Sequence, residues 1–364
     1  MLMDGQSDRI RAFTALIIVV LISLGAAKRY FNSQTPTNPH SKDGLNYNTT
    51  TTGPRTVAII TPAASGEFNS DLINGARDEA KLLGWNNIQY YAPTGDADDA
   101  ELKALAFTAI SKKPDAISVC GLDPTSLEAV IAKANQAEIP IFVHNQLNGV
   151  RGDVQAYIGY DEYAAAQALG EYLLTLIAPS HTSTNGSNKK EPPDLVAILD
   201  GSPGEHTNRR ALGFREALKY SVDVRIVEEK SAHWSKQEAD TIVSKWLQRY
   251  PDLKTIYACS DLMASGAAHA VWAQKRTVRC LGFGGSRDAL FSVKGGDLTA
   301  TVAVEPAKIG KRIIDTMMDF FGNTGTLQNG QAVKTAFTVV NNSNVSEFLG
   351  GFAADKIESR PDSR

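Results

Sequence analysis

The sequence has few cysteines, no excess of basic charge and no uninterrupted apolar run long enough for an ordinary membrane span. Its 364 residues include only 3 Cys, which is too few for the disulfide framework of a small secreted domain. Lys and Arg total 37 against 40 Asp and Glu, so we expect no broad basic surface and no nucleic-acid partner. The 43% hydrophobic content is that of a globular protein, and the length suggests two domains.

Motifs for catalysis, metal binding and nucleotide binding are also missing. Gly201-Ser202-Pro203-Gly204 has the wrong spacing for a nucleophile elbow, and the sequence contains neither a Walker A motif nor H-E-x-x-H. The acidic run at 96–99 resembles the start of a calcium loop, but Glu101 and Phe107 stand where Gly and Glu are needed. This run is typical of a helix cap. We therefore expect that the protein is not an enzyme and that it binds neither a metal nor a cofactor.

The N-terminal region has the pattern of an export signal. Residues 12–27 are apolar, follow two arginines and end in small side chains. Such a run is short for a membrane span of about 20 residues but suits a signal peptide. We predict a hydrophobic helix at 1–27, either a cleaved signal or an uncleaved anchor, and therefore an extracytoplasmic protein. The polar stretch 28–54 is predicted to be a disordered tether, and the polar tail 351–364 is predicted to be loose.

From residue 55 onward, short β-branched runs alternate with amphipathic segments of helical period. This alternation predicts parallel sheets covered by helices on both faces. The strands are predicted to begin at Val57, Asn87, Ala116, Ile139, Val154, Leu195, Asp223, Thr255, Val278, Leu298 and Lys334. Because the series repeats with similar spacing, we predict two doubly wound α/β lobes. A (β/α)8 barrel is the alternative, but eleven strands overfill it.

Polar and aromatic residues follow the predicted strands, where open parallel sheets bind ligands. The candidate ligand-binding residues are Glu67, Phe68, His144, Asn145, Gln146, Asn208, Arg209, Trp234, Ser260, Asp261 and Gly284. Aromatic faces together with amides suit a small, neutral, hydroxyl-rich ligand. For several of these candidates a structural role is also open. Phe68 and Trp234 could pack in the protein instead of facing a ligand. His144 could be a core histidine, Asp261 could cap a helix, and one of Arg209 and Arg210 could belong to a structural ion pair.

Four stretches resemble the type I periplasmic sugar-binding proteins, the ribose-binding class that shares its fold with lac-repressor-type regulators. They are FNSDLINGARDEAKLLG, PDAISVCGLDPTSLEAVIAKANQAEIPIFVHNQ, TNRRALGFREAL and YPDLKTIYACSDLMASGAAHAV. The resemblance covers roughly residues 55–342. It implies two lobes that close as a clamp about a three-segment hinge. The implied crossovers lie near Tyr160, Val304 and Gln331.

The resemblance also implies lobe boundaries. The N-terminal lobe would comprise 55–159 plus 305–331, and the C-terminal lobe 160–304 plus 332–350.

The chain departs from this family at several ligand positions. Asn145-Gln146 replaces Asp-Arg, and Asn208 replaces an Arg. Ser260, Gly284 and Val304 stand in place of Asn, Asp and Gln. Trp234 keeps the family aromatic, so the stacking residues are retained while the charged clamp is lost. These departures predict a ligand other than a common pentose, such as a modified or less hydroxylated sugar.

Two functions fit the resemblance. The first is a monomeric solute-binding protein that delivers a sugar-like ligand to an ABC permease. The second is a membrane-anchored module that reports ligand occupancy to a separate signalling protein. Cleavage of the N-terminal segment would favour the first, and an uncleaved anchor the second. A transcription regulator would need a helix-turn-helix before the lobes, whereas residues 1–54 contain an apolar run and a polar stretch.

Overall fold

The computed structural model describes residues 54–62, 67–93, 98–147, 149–181, 192–322 and 327–350. Three predicted segments lie outside these described residues: the signal or anchor at 1–27, the tether at 28–54 except for its last residue, and the tail at 351–364. Within the described ranges, no helix combines the length and the apolarity needed to cross a membrane.

The described residues form twelve strands and ten helices. The strands are β1 (Thr56–Ile60), β2 (Asn87–Tyr91), β3 (Ala116–Val119), β4 (Ile141–His144), β5 (Ala156–Gly159), β6 (Asp194–Asp200), β7 (Val224–Ser231), β8 (Leu253–Ala258), β9 (Arg279–Gly284), β10 (Ala300–Val304), β11 (Gln331–Lys334) and β12 (Phe337–Asn341). The helices are α1 (Glu67–Leu82), α2 (Asp99–Ser111), α3 (Pro124–Gln136), α4 (Glu162–His181), α5 (Glu205–Leu218), α6 (Lys236–Arg249), α7 (Asp261–Ala273), α8 (Arg287–Gly295), α9 (Pro306–Phe321) and α10 (Val345–Leu349).

The strands form two six-stranded sheets with matching topology. The first lobe has the order β2-β1-β3-β4-β5-β11, and the second lobe has the order β7-β6-β8-β9-β10-β12. All paired strands are parallel except β12, which runs antiparallel to β10. The prediction of two doubly wound lobes is confirmed. The barrel alternative is wrong, because the strands form two separate sheets instead of one closed ring.

The chain passes between the sheets three times. The crossovers are 160–161 between β5 and α4, Glu305 between β10 and α9, and 335–336 between β11 and β12. The third crossover was predicted near Gln331, which is four residues too early. Residues 331–334 instead pair with β5 in the first lobe. The run that begins at Lys334 was predicted as one strand, and it divides between the two sheets.

The helices begin where local capping chemistry permits. The Asp123 side chain accepts hydrogen bonds from the Thr125 and Ser126 amides at 2.8 and 3.1 Å, and Pro124 stands in the first turn of α3. Asp98 caps α2 in the same way through the Glu101 amide at 2.8 Å. The acidic run predicted as a cap therefore does cap a helix.

The first sheet is covered on both faces, as its apolar strands require. Ile117 and Val143 pack in one cluster with residues of α2 and α3. Ile59 and Phe142 lie in the other cluster, with residues of α1 and α9. Helix α9 packs against α1, and α4 packs against α5. All three cysteines are buried and free.

Candidate functional site

The carboxyl edges of the two sheets face each other. Helix α1 begins after β1 in the first lobe, and α8 begins after β9 in the second. The Glu67 carboxylate at the start of α1 accepts hydrogen bonds from the Arg287 amide at the start of α8, at 3.1 and 3.3 Å. Burial raises the pKa of Glu67, although the Arg287 amide opposes that shift. This contact joins the lobes along one side of a cleft where ligands of open parallel sheets bind.

The first lobe contributes Phe68, Asn145 and Gln146 to this edge. Phe68 is half-buried in the first turn of α1 and packs on the core. Asn145 follows β4 with φ 56°, in the left-handed region that few non-glycine residues adopt. Its backbone N–H donates to the Ile158 carbonyl oxygen at 2.7 Å. This hydrogen bond holds the chain over the end of β5. Asn145 and Gln146 are both half-buried.

His144 is a core residue at the end of β4. The side chain is fully buried, and its Nδ1 lies 2.8 Å from Ser118 Oγ. Burial lowers the pKa of His144 to about 3, so the imidazole is neutral at physiological pH. Its Nε2 is buried and has no hydrogen-bond partner among the described residues. The core reading of this histidine therefore agrees with the structure.

The second lobe contributes Trp234 at the turn after β7. Trp234 is half-buried and has φ 62°. Its ring packs against Gly201, where any side chain would overlap the indole. Glycine at 201 therefore allows the ring to seat on the end of β6. Asn208 is exposed on α5.

Asp261 is directed into its own lobe. Its Oδ1 accepts from Thr301 Oγ1 at 2.5 Å, and its Oδ2 accepts from the Ser286 amide at 2.7 Å. Ser260 caps α7 by accepting from the Met263 amide, so the prediction that Asp261 is the cap is wrong by one residue. Burial raises the pKa of Asp261 against these hydrogen bonds. Gly284 has φ 141° and lies beside this carboxylate.

Arg210 forms a buried centre that the candidate residues did not include. Its Nε and Nη2 donate to Glu162 Oε1 at 2.9 and 2.6 Å. Its Nη1 donates to the Cys259 carbonyl oxygen, and its Nη2 donates to Tyr160 Oη, both at 2.9 Å. The guanidinium carbon lies 4.4 Å from the ring centre of Phe283. Arg210 therefore connects the first crossover to the carboxyl ends of β8 and β9.

Glu162 is ionised because of its partners. Burial alone would raise its pKa, but Arg210 and His206 hold the pKa down at about 2. His206 Nδ1 lies 2.9 Å from Glu162 Oε2. The adjacent Arg209-Arg210 pair was the sequence signal for this cluster. The sequence predicted a structural ion pair for only one of these two arginines. In the structure both arginines form ion pairs.

A second ion cluster joins two crossovers. Asp161 in the first crossover accepts from Arg209 Nη2 and from Lys334 Nζ, each at 3.1 Å. Lys334 is the last residue of β11, immediately before the third crossover. Arg209, a predicted ligand residue, is thus engaged with a hinge carboxylate. The charged groups at the back of the cleft largely neutralise one another.

A further acid at this edge is Asp200, at the end of β6. Burial and the charge of Glu229 raise the pKa of Asp200 to about 7. Cys259 Sγ donates to Asp200 Oδ1 at 3.7 Å. Because Asp200 carries only part of its charge at neutral pH, the second lobe presents an aromatic ring and polar groups of low net charge. Such a surface suits an uncharged ligand better than an ionic one.

Residues 57–324 match the sequence model of a family described as a periplasmic binding protein domain. The chain is 27% identical to the D-apiose import binding protein of Paraburkholderia graminis, over 74% of this chain and 82% of that protein. It is also 27% identical to the D-allose-binding periplasmic protein of Escherichia coli, over 76% of this chain and 88% of that protein.

Solved structures show the same fold. A periplasmic solute-binding protein of an ABC transporter from Actinobacillus succinogenes, with bound D-allose, superposes with a TM-score of 0.71 at 23% identity. The match covers 81% of this chain and 100% of that one. A Bacillus halodurans solute-binding protein with bound myo-inositol superposes with a TM-score of 0.70 at 21% identity, over 83% and 100% of the two chains.

Proposed function

The chain belongs to the periplasmic binding protein domain family, and from that premise we propose that it is an extracytoplasmic solute-binding protein of an ABC importer. It would clamp one small sugar-like ligand between its lobes and deliver it to the membrane permease. The observation that carries this proposal is the contact between Glu67 and the Arg287 amide, which places the carboxyl edges of the two sheets face to face. Three crossovers behind these edges would form the hinge.

The proposed ligand is neutral. The relatives import D-apiose and bind D-allose, as their names state. In this chain, Arg209 and Arg210 are already paired with Asp161 and Glu162. An anionic ligand would have to compete with these buried carboxylates for the arginines. Aromatic stacking on Phe68 and Trp234 with amide hydrogen bonds from Asn145 and Gln146 suits a sugar or a polyol.

We also propose that the protein acts outside the cytoplasmic membrane and as a monomer, with the permease as its partner. Export would depend on the apolar segment at 12–27, either as a removed signal or as a retained anchor. The relative from Paraburkholderia graminis is named as an import binding protein, which favours transport over the sensing alternative. Its role is binding and release of the solute, without chemical conversion.

A thermal-shift panel on the full-length chain tests the proposal. The panel holds D-ribose, D-allose, D-apiose and myo-inositol, with D-ribose 5-phosphate and D-glucuronate as charged comparisons. A neutral sugar at 100 times its Kd raises the free energy of unfolding of the protein by about 2.7 kcal/mol. This stabilisation raises Tm by about 5 °C. Stabilisation by the charged compounds alone, or by none of the six, would contradict the proposal.

A tryptophan pair provides the matched control. Trp234→Ala removes the proposed stacking face and should abolish the shift with the best neutral sugar, because a well-packed aromatic is worth several kcal/mol. Trp272 is 74% exposed on α7, so Trp272→Ala removes the same side chain away from the cleft and should keep the full shift. Equal shifts in the two variants would place the ligand elsewhere.

A further inference from the structure

Buried polar atoms without partners concentrate at one edge of the first lobe. Among the described residues, four such side-chain atoms lack a hydrogen bond: His144 Nε2, Asn145 Oδ1, Thr255 Oγ1 and Thr335 Oγ1. Thr255 lies within β8 of the second lobe. The other three lie at the carboxyl ends of β4 and β11. Unpaired buried polar atoms are rare in folded proteins, so three at a single edge call for a physical cause.

The backbone places Asn145 and Thr335 on either side of β5. The Asn145 amide donates to the Ile158 carbonyl oxygen, and the Thr335 amide donates to the Gly159 carbonyl oxygen, each at 2.7 Å. Ile158 and Gly159 are the last two residues of β5. The spacing of neighbouring strands puts the two Cα atoms roughly 10 Å apart across this strand. A hydroxylated ring seated over the end of β5 would reach both side chains.

The local conformation holds Asn145 in this place despite its cost. Asn145 adopts φ 56°, and its Cα lies 3.2 Å from the point where a Gly159 side chain would begin. Glycine at 159 therefore lets the chain fold over the strand end. Strained residues of this kind are common at ligand sites, where the surrounding structure maintains them.

The charges near Thr335 are already satisfied. Lys334 donates to Asp161 at 3.1 Å, and the same carboxylate accepts from Arg209. Neither carboxylate oxygen of Asp161 depends on the Thr335 hydroxyl. The Thr335 hydroxyl is therefore not used by these charged groups, and it has no other hydrogen-bond partner among the described residues.

We propose that Asn145 and Thr335 form a hinge-side subsite that recognises a neutral, hydroxyl-bearing edge of the bound sugar. Asn145 Oδ1 accepts a hydrogen bond from a ligand hydroxyl, and Thr335 Oγ1 can both donate to and accept from one. This inference rests on the proposed function and adds to it a specificity-determining residue, Thr335. None of the sequence candidates lies on the third crossover.

The position of Thr335 gives the subsite a second consequence. Residues 335–336 are the whole link between β11 in the first lobe and β12 in the second. A ligand held by Thr335 would contact the hinge itself, so its hydroxyl pattern would bear on closure as well as on affinity.

The test compares Thr335→Val with Thr335→Ser in the full-length chain. Valine keeps the shape and loses the hydroxyl, whereas serine keeps the hydroxyl. Calorimetric titration uses whichever of D-ribose, D-allose, D-apiose and myo-inositol stabilises the wild type most. We expect Thr335→Val to bind about 5- to 10-fold more weakly and Thr335→Ser to bind within about 2-fold of wild type.

Two further measurements separate recognition from structure. Without sugar, Thr335→Val should melt no lower than the wild type, because the hydroxyl it loses has no partner in the folded protein. Among monodeoxy forms of the same sugar, the one that lacks the recognised hydroxyl should bind wild type and Thr335→Val equally. The inference is supported if Thr335→Val binds the sugar more weakly, keeps the sugar-free Tm and binds the monodeoxy sugar as well as the wild type does.

The other outcomes overturn it. Unchanged affinity in Thr335→Val would show that solvent satisfies this hydroxyl. Weaker binding together with a clearly lower sugar-free Tm would show a structural role instead. If no sugar stabilises the wild type, the proposed function fails and the subsite fails with it. The thermal-shift data of the wild type alone distinguish failure of the proposed function from failure of the subsite.

Discussion

Arg209 and Arg210 are adjacent in sequence but lie in different surroundings. Successive residues of a helix point about 100° apart, so Arg210 turns inward to Glu162 while Arg209 reaches Asp161 at the first crossover. The sequence shows that two arginines are present, but which carboxylate each one meets depends on how α5 packs on α4. Arg210 stabilises the crossover end of α4 by neutralising a buried charge.

Acid should weaken the fold through Glu162. Its folded pKa is about 2, below the ordinary value of 4.5, so its contribution is fully present above pH 4.5 and is lost as the pH falls towards 2. Glu162→Gln should lower stability at pH 7 by about 3 kcal/mol, because Arg210 loses its buried partner. It should also flatten the decline of Tm between pH 5 and pH 2.

Glu171→Gln is the control for this prediction. Glu171 is exposed on the same helix, so the substitution changes the net charge equally without touching the cluster. It should keep the wild-type pH profile. A wild-type slope in Glu162→Gln would mean that other carboxylates cause the acid sensitivity. The profile is measured by thermal melts at a series of pH values.

The central strands of both sheets could be predicted from sequence because they are apolar on both faces and bounded by turn residues. The last strand in the sequence could not be predicted correctly. The run from Lys334 alternates like a single strand, yet Thr335 and Ala336 carry the chain from one sheet to the other. Sequence patterns record local preference, and the choice of sheet is a tertiary property.

The candidate site shows the same division. The positions of Phe68, Asn145 and Trp234 at the edges of the sheets were predictable because these residues follow strand ends. The inward direction of Asp261 was not, because it depends on Thr301 from the neighbouring strand β10. Arg210 and Thr335 were missed since their surroundings come from segments distant in sequence.

At the scale of helices, α1 and α9 approach closely because both have glycine at the contact. An added methyl group at Gly310 would overlap the carbonyl oxygen of Leu72, and one at Gly75 would overlap that of Ala307. Because α9 follows the second crossover, this contact fixes where the returning chain joins the first lobe. Overpacking here cannot be relieved by a side-chain movement, since the obstacle is backbone.

Gly310→Ala should therefore destabilise the protein by about 1–3 kcal/mol, although alanine is the better helix former by about 1 kcal/mol. Gly295→Ala is the matched control, because no heavy atom lies within 4 Å of its added methyl group. That variant should be neutral or slightly more stable. Urea unfolding measures both free energies. A Gly310→Ala variant as stable as Gly295→Ala would show that α1 and α9 can separate at little cost.

For the whole molecule, the repeated strand order explains how one chain makes a clamp. Each sheet places its ligand-facing loops at the carboxyl ends of its strands, and the crossovers at 160–161, Glu305 and 335–336 join the lobes behind those loops. Short crossovers allow the lobes to rotate without breaking either sheet. The Glu67 contact with the α8 amide is then a latch that exists while the lobes are together.

Removing that latch should shift the free protein towards an open form. A carboxylate at a helix N-terminus is worth about 0.3–1 kcal/mol, so Glu67→Ala should weaken binding of the best neutral sugar by about 2- to 5-fold, because fewer molecules are closed. Small-angle X-ray scattering without sugar should give a larger radius of gyration than wild type, and saturating sugar should restore it. Glu101→Ala removes an acid from the first turn of α2 and should change neither quantity. Weaker binding in Glu67→Ala with an unchanged sugar-free radius would instead assign Glu67 to direct ligand contact, and the latch would be wrong.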